Sequence, residues 1–214
     1  MILYLTRIPL NLGSHEVRSE LSNRYSLHQT LTRVFAEPGE SRILYRVEDD
    51  ASLNPYILVQ SSVQPDLAAF YSNYVARSGQ VETRDITSLI DRFEVGRRFR
   101  FRIAINPTTQ GRKIQGGREI EFRRVLHKNT EAISWFAGMG ERRGFALPLS
   151  DPFNEPTMKK LAMFRGKSPK ERVAVSLIDG VLEVTNPQAF AAAFVAGIGK
   201  AKIYGLGMLS LATA

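Results

Sequence analysis

The chain of 214 residues contains no cysteine. This absence excludes disulfide bonds, thiolate zinc sites and cysteine nucleophiles, and it fits a reducing compartment. The sequence also lacks any run close to the roughly 20 apolar residues of a membrane-spanning helix. Its opening, MILYLTRIPL, carries neither the basic leader nor the small-residue cleavage site of a signal peptide. We therefore expect a soluble protein of the cytoplasm that does not associate with a membrane.

Negative charge is in the minority. The 29 lysines and arginines outnumber the 21 aspartates and glutamates, which leaves a net charge of +8 at pH 7. Hydrophobic residues make up 43% of the chain, so we expect globular cores and not disorder. Because the excess positive charge is clustered, it predicts a polyanionic partner, with nucleic acid ahead of an acidic membrane surface.

The pattern of apolar residues in the first half predicts the element order β-α-β-β-α-β, which is the ferredoxin-like unit. Apolar residues at helical spacing indicate the first helix, and short runs bounded by turn residues indicate the strands. The strands are predicted at 1–8, 42–48, 56–62 and 97–107, and the helices at 25–35 and 65–75.

The second half predicts a similar unit. A helix is expected at 129–142, a hairpin at 172–186 that turns at Asp179 and Gly180, a helix at 187–198 and a last strand at 204–211. Its first strand is placed around 118–126. The sequence therefore predicts an α+β protein of two tandem ferredoxin-like domains, residues 1–107 and 118–214, joined by a basic linker at 108–117.

Three stretches carry much of the positive charge. In RRFRFR, strand alternation places the arginines on one face and the phenylalanines on the other, and an open row of arginines matches a phosphate backbone. GRKIQGGR follows at once, and KKLAMFRGKSPKER is predicted to be an exposed loop or an extended hairpin. Each stretch alone is explained by a solvated surface, but together they favour a polyanion site. The candidate residues are Arg98, Arg100, Arg102, Arg112, Lys113, Lys159, Lys160, Arg165, Lys167 and Lys170.

Four glycines and two lysines crowd into GIGKAKIYGLG near the end of the chain. The segment is not a Walker A loop, because Ala201 follows Gly199 and Lys200, and the dinucleotide fingerprint fails at Lys202. Glycines can expose backbone N–H groups to phosphates while lysines add charge. A flexible surface turn explains the composition equally well. The residues in question are Gly197, Gly199, Lys200, Lys202, Gly205 and Gly207.

The chain has three histidines, of which His15 and His127 are predicted to be solvated surface residues. His28 lies near the start of the first predicted helix, where the helix dipole disfavours imidazolium and keeps a neutral base near pH 7. Tyr25, three residues earlier, shares its helix face. The alternative is a half-buried histidine bonded to a carbonyl, with Tyr25 packed on the sheet, and periodicity alone favours that alternative.

An acidic triplet offers a competing site. Glu48, Asp49 and Asp50 are carboxylates that a divalent metal could bind, which would indicate a metal-dependent nuclease. However, the triplet occupies a predicted hairpin turn, where acidic residues often bond locally to the backbone. No second acidic cluster or histidine pair accompanies it, so we expect no metal site.

Several segments, in this order, match a known family: MILYLTRIPL, YSLHQTLTRVF, ILVQSS, FRFRIAINPT and DGVLEVTNPQAFAAAFVAGIGKAKIYGLGMLSL. The sequence resembles the CasE family, the CRISPR-repeat endoribonuclease subunit of the type I-E Cascade complex. A glycine-rich loop before a short C-terminal strand is the hallmark of this family and its superfamily. The resemblance implies two tandem ferredoxin-like domains of the RRM and RAMP type.

The resemblance also implies a function. Family members cut precursor CRISPR RNA at the base of each repeat hairpin without a metal or other cofactor, leaving a 2′,3′-cyclic phosphate and a 5′-hydroxyl. They stay on the product as a Cascade subunit, and we expect a monomer in isolation. The family's catalytic histidine and its nearby tyrosine fall on His28 and Tyr25. We expect residues 159–172 to contact the RNA stem and the glycine-rich loop to lie against the backbone near the cut.

A rival interpretation belongs to another class. A non-catalytic RNA-binding scaffold subunit of a ribonucleoprotein would have the same double fold and use the basic surface alone. Within the sequence, only His28 and Tyr25 separate the two hypotheses.

Overall fold

The computed structural model describes residues 1–35, 43–48, 55–70, 73–77, 79–151, 154–165, 167 and 172–214. The helices are α1 (His15–Ser22), α2 (Arg24–Phe35), α3 (Asn129–Gly140) and α4 (Pro187–Ala196). The strands are β1 (Tyr4–Pro9), β2 (Leu44–Glu48), β3 (Tyr56–Ser61), β4 (Glu82–Asp85), β5 (Arg98–Ile105), β6 (Thr108–Gln115), β7 (Arg118–Val125), β8 (Phe145–Ala146), β9 (Thr157–Arg165), β10 (Arg172–Val184) and β11 (Leu209–Thr213).

Helices α1 and α4 begin where the sequence supplies a capping side chain. The Ser14 side chain accepts from the Val17 N–H at the start of α1, and Asn186 does the same for Ala189 at the start of α4. In α2 the apolar stripe faces inward, because Leu27, Leu31, Val34 and Phe35 are all buried. That stripe positions the opposite edge of the helix, which carries Tyr25 and His28, toward the second half of the chain.

Each half of the chain builds an antiparallel sheet with the same strand order. The first sheet runs β2-β3-β1-β4, and the second runs β11-β5-β10, with β8 and β9 both pairing along the outer edge of β10. In each sheet the first strand of the unit lies between the third and the fourth, which is the ferredoxin-like order. The prediction of an α+β protein with two tandem ferredoxin-like units is confirmed.

The core of the second unit is aromatic. Phe101 on β5, Phe136 on α3 and Phe190 on α4 are buried in one cluster. Phe145 bridges the two helices, with ring centroids 5.4 Å from Phe136 and 6.0 Å from Phe190. Buried aromatic side chains of this size dominate the hydrophobic stabilisation of a small unit, so this cluster fixes the second sheet against its helices.

The prediction that residues 97–107 form the last strand of the first unit is wrong. This strand, β5, does not close the first sheet but pairs with β10 and β11 in the second. The strand that closes the first sheet is β4, whose sequence ETRD lacks an apolar alternation. Alternation in RRFRFRI predicts a strand with one buried face, but it does not specify which sheet that face completes.

Two further predictions differ from the structure, namely the first strand of the second unit around 118–126 and the linker at 108–117. Residues 118–126 form β7, which pairs with β6, and β6 contains most of the predicted linker. The two strands make a separate ribbon. The division of the chain into domains remains a prediction, and the place of β5 favours a boundary before Arg98.

The hairpin predicted at Asp179 and Gly180 is wrong as well, because β10 runs without a turn from Arg172 to Val184. Gly180 lies opposite Phe101 of β5, and a Cβ at this glycine would lie 3.1 Å from the Phe101 ring. The glycine therefore serves close packing of that ring and not a turn. The hairpin that does form joins β9 to β10, which confirms the extended-hairpin interpretation of the basic stretch.

The second helix of the first unit is not present in the described residues. Residues Leu67–Ala69 make one 3-10 turn, and Asn73 has a left-handed φ of 65°. Conversely, α1 was not predicted from the sequence. In the part of the chain that the structure describes, no helix is long and apolar enough to cross a membrane.

Candidate functional site

His28 lies on the second turn of α2 and is half-buried. Its Nδ1 atom is buried and has no hydrogen-bond partner among the described residues. Burial lowers the pKa of His28 below its ordinary value of 6.5. Burial of the imidazole therefore favours its neutral form at pH 7. Among the described residues, no carbonyl accepts a hydrogen bond from Nδ1, as the structural alternative would require of this atom.

Tyr45 on β2 supports this histidine. The two rings are nearly parallel, with centroids 6.3 Å apart and planes inclined by 10°. The buried Tyr45 hydroxyl lies 3.0 Å from the carbonyl oxygen of Arg24 and 2.9 Å from that of Ile203. Burial raises the pKa of Tyr45, so the phenol stays protonated and can donate to these carbonyls. Tyr45 thus ties the start of α2 to the glycine-rich loop.

The glycine-rich loop owes most of its glycines to its own packing. Gly205 has φ +78°, and a Cβ there would lie 2.7 Å from the Tyr45 ring. At Gly197, with φ +73°, a Cβ would meet the Leu44 side chain at 2.7 Å. Gly207 donates to the Ala104 carbonyl at 2.7 Å and accepts from Ile198 at 2.8 Å. Gly199 differs, because its φ is +88° but a Cβ would meet open space.

Three predicted parts of the site meet beside Tyr25. The ammonium of Lys167 lies 5.3 Å from the centre of the Tyr25 ring, and the Lys167 N–H donates to the Tyr204 hydroxyl at 2.8 Å. Tyr25 and Phe164 pack against Tyr204 in the same apolar cluster. The structure therefore brings together α2, the β9–β10 hairpin and the glycine-rich loop, which lie far apart in the sequence.

Two cavities open at this junction. One cavity, of about 660 Å³, lies between the sheets. Its lining includes basic and acidic residues, namely Arg24, Arg102, Lys159, Glu48 and Asp179. The other, of about 610 Å³, runs from the loop to the base of the β6–β7 ribbon. Its lining includes Gly199, Lys200, Lys202, Asn106, Thr108 and Val125.

The arginine row on β5 alternates as predicted, with the arginines exposed and Phe99, Phe101 and Ile103 buried. The row is not open, however. Arg98 donates to Glu183 at 2.9 Å, and Arg102 donates to Asp179 at 2.6 Å and approaches Glu48 at 3.4 Å. These carboxylates come from other strands, so alternation within β5 could not show them.

The remaining basic candidates are dispersed. Lys159 and Lys160 lie on β9, opposite Leu177 and Ser176 of β10. Arg112 lies on β6, where it forms ion pairs with Glu119 and Glu121 of β7. The side chains of Lys113 and Arg165, and the whole of Lys170, lie outside the described residues, as do Asp49 and Asp50 of the acidic triplet.

Sequence reasoning missed Arg46, which joins the two sheets. Its side chain is only 3% exposed and donates from Nε to Glu48 at 2.6 Å. Its Nη1 lies 3.2 Å from the carbonyl oxygens of both Arg102 and Met208. Glu48 thus pairs with Arg46 and Arg102 and contributes to the contact between the two sheets. Nothing in the sequence RILYRVE indicates that its second arginine, Arg46, is buried.

The relation to known proteins extends over the whole chain. A family model described as CRISPR associated protein matches residues 3–213. The chain is 30% identical to the CRISPR-associated endoribonuclease Cse3 of Thermus thermophilus, with 98% of this chain and 100% of that protein covered. It is 29% identical to the CRISPR system Cascade subunit CasE of Escherichia coli, with 88% and 91% covered.

The fold agrees with a solved relative. The structure of Thermus thermophilus Cse3 bound to an RNA representing a pre-cleavage complex matches with a TM-score of 0.80 at 28% identity, covering 99% of this chain and 100% of that chain. The family resemblance predicted from the sequence is therefore confirmed. The chain belongs to the family of CRISPR-associated proteins that includes Cse3 and CasE.

Proposed function

We propose that this protein is an endoribonuclease that binds the repeat hairpin of precursor CRISPR RNA, cuts at the base of the stem and stays on the guide RNA as a Cascade subunit. The observation that carries this proposal is full-length identity of 30% to a protein named as a CRISPR-associated endoribonuclease. The name of the Escherichia coli relative supports the role as a Cascade subunit.

The proposed reaction is an RNA transesterification. The 2′-oxygen upstream of the cut loses its proton and attacks phosphorus, the bond from phosphorus to the 5′-oxygen breaks, and that oxygen takes up a proton. The products are a 2′,3′-cyclic phosphate and a 5′-hydroxyl, and no step requires a metal ion. His28 carries the proton transfer. Because burial lowers the pKa of His28, its neutral form is ready to accept the 2′-hydroxyl proton.

Cations around the site stabilise the negative charge that develops on the non-bridging oxygens of the phosphate in the transition state. Lys167 is held beside Tyr25, and Lys200 and Lys202 line the adjoining cavity. Positive groups fixed before the reaction stabilise a developing anion without reorganisation. Tyr25 is assigned to orienting the sugar and phosphate at this point.

The RNA stem is assigned to the β9–β10 hairpin. A-form RNA is recognised largely through its shape and its phosphates. The hairpin carries Lys159, Lys160 and Lys167 and ends beside Tyr25. An RNA stem bound along this hairpin would place the lower end of the stem, where the cut is proposed, beside α2.

The test is cleavage of a repeat hairpin RNA in EDTA by wild type and His28→Ala, together with a binding assay. His127→Ala, which removes an exposed histidine, is the matched control. We expect the wild type and the control to cut, and His28→Ala to bind without cutting. Equal cutting by His28→Ala would make His28 structural. If all three proteins bind the RNA tightly and none of them cuts it, with or without EDTA, the scaffold interpretation is supported. Cutting by the wild type only when EDTA is left out would support a metal-dependent nuclease.

A further inference from the structure

Tyr204 lies where the glycine-rich loop contacts the β9–β10 hairpin. Its backbone belongs to the 3-10 turn Lys202–Tyr204, and its side chain is buried. The Tyr204 N–H donates to the Ala201 carbonyl at 2.9 Å. The carbonyl of Ile203, the residue before it, accepts from the Tyr45 hydroxyl at 2.9 Å. The backbone of Tyr204 is therefore fixed both by its own loop and by β2 of the first sheet.

The Tyr204 ring contacts both strands of the hairpin. Phe164 on β9 meets it edge to face, with ring centroids 5.6 Å apart and planes inclined by 70°. Val173 on β10, which is paired with Phe164, belongs to the same buried cluster as Tyr204. Because close packing restricts a buried ring to few orientations, these contacts direct the Tyr204 hydroxyl toward the residues that follow β9.

Lys167 is one of those residues and lies beyond the paired part of the hairpin. Among the described residues, the last pair of the β9–β10 ladder is Arg165–Arg172. The backbone N–H of Lys167 donates to the Tyr204 hydroxyl at 2.8 Å. Its ammonium lies 5.3 Å from the centre of the Tyr25 ring, within the range of a cation–π contact. Tyr204 thus holds the backbone of Lys167, and Tyr25 holds the end of its side chain.

We propose that Tyr204 is a positioning residue for RNA cleavage. Its hydroxyl fixes the backbone of Lys167 so that the ammonium lies beside Tyr25, where it stabilises the negative charge of the transition state. The proposal rests on the proposed function, which assigns Lys167 to that charge. Tyr204 itself is buried and acts through Lys167.

The physical advantage is preorganisation. The Lys167 side chain is exposed, and a long exposed side chain distributes over many rotamers unless contacts restrict it. A cation that is already in place stabilises a developing anion without reorganisation at the moment of reaction. Loss of the Tyr204 hydroxyl should therefore reduce the rate of the chemical step and leave the affinity for RNA unchanged.

The experiment separates this role from packing, because Tyr204→Phe keeps the ring beside Phe164 and removes only the hydroxyl. Single-turnover cleavage of the repeat hairpin RNA by the full chain in EDTA is measured at saturating protein, together with RNA affinity. Lys167→Ala and the double variant with Tyr204→Phe complete one cycle. The matched control cycle replaces Lys167→Ala with Lys200→Ala, which removes a cation of the glycine-rich loop. Thermal unfolding checks that every variant is folded at the assay temperature.

We expect Tyr204→Phe to slow saturating cleavage by about three- to tenfold, the factor that corresponds to one net hydrogen bond. Lys167→Ala should slow it at least as much. Adding Tyr204→Phe to Lys167→Ala should then have no further effect, because the two changes remove the same interaction. In Lys200→Ala, by contrast, Tyr204→Phe should keep its full effect. The acidic inflection of the rate against pH should not move, since His28 is unchanged.

Three results would overturn the proposal: a wild-type cleavage rate in Tyr204→Phe, a loss confined to RNA affinity, or a full effect of Tyr204→Phe in Lys167→Ala. The first would assign Tyr204 to packing alone, and the last would show that its hydroxyl does not act through the lysine. Failure of the proposed function is distinguishable, because the wild type would then leave the hairpin RNA uncut.

Discussion

The imidazole of His28 lies almost parallel to the ring of Tyr45, which in turn bonds to carbonyls of α2 and of the glycine-rich loop. A buried residue of the first sheet thereby sets the position of the proposed catalytic histidine relative to the loop.

Tyr45→Phe should keep the ring beside His28 and lose the hydroxyl that bonds to the carbonyls of Arg24 and Ile203. We expect the free energy of unfolding to fall by about 1 kcal/mol, since a buried acceptor loses its donor. Single-turnover cleavage should slow while RNA affinity stays within about twofold, because sites that share no contacts are nearly independent. Denaturant unfolding and cleavage assays check this, with Tyr4→Phe as control. Unchanged cleavage would show that the loop keeps its place without Tyr45.

The pH dependence of cleavage should reflect His28. Burial lowers the pKa of His28 in the folded chain below 6.5, so the neutral base persists to a more acidic pH than an exposed histidine would allow. We expect the plot of kcat/KM for cleavage against pH to have its acidic inflection below pH 6.5. An inflection above that value would contradict the base role.

The same shift has a consequence for stability. The unfolded chain binds the proton first as the pH falls, so the contribution of His28 is complete above the unfolded pKa of about 6.5 and is lost as the pH drops toward the lower folded pKa. The free energy of unfolding should therefore fall less steeply below pH 6.5 in His28→Gln than in wild type. His127→Gln, at an exposed position, is the control and should follow the wild-type profile.

Arg46→Met should destabilise the protein by about 3–5 kcal/mol, because Glu48 would lose its buried partner and two interface carbonyls would lose a donor. Adding Glu48→Gln should recover part of that loss, since the buried charge is removed as well. Denaturant unfolding of both single variants and the double variant measures the coupling. Additive effects would show that the pair is not energetically linked.

Two glycines of the loop should respond differently to alanine. Gly205→Ala combines a left-handed φ with a clash on Tyr45 and should cost at least about 2 kcal/mol of stability, whereas Gly199→Ala adds backbone strain alone, about 1 kcal/mol. If Gly199 allows RNA to approach the backbone, Gly199→Ala should lose more RNA affinity than Gly205→Ala, although it loses less stability. Equal affinity in Gly199→Ala and wild type would assign the loop to packing alone.

The strands and helices with a regular apolar pattern could be predicted from the sequence. The stripe of α2, the alternation of β5 and the Asn186–Pro187 start of α4 all depend on near neighbours in the chain. By contrast, β4 has no alternation, and among the described residues of 65–75, where a helix was expected, the structure has a single 3-10 turn. The Asp179–Gly180 pair favoured a turn locally, but packing against Phe101 of another strand requires the glycine.

The candidate site was predictable in its residue types and not in its geometry. His28 and Tyr25 were predicted as site residues from the family resemblance, whereas periodicity alone favoured a structural role for them. Tyr45 and Arg46 were not predicted, because their roles depend on contacts with residues more than 150 positions away in the chain. Likewise, alternation showed the arginines of β5, but only strand pairing showed that Arg98 and Arg102 are bonded to carboxylates.

The sequence by itself determined the family, the two-unit α+β class and the net positive charge, because these depend on composition and on patterns within a few residues. The tertiary structure alone decided which sheet β5 completes and how the glycine-rich loop is held beside His28. Strand pairing and burial join residues far apart in the chain, and their energies depend on those distant partners.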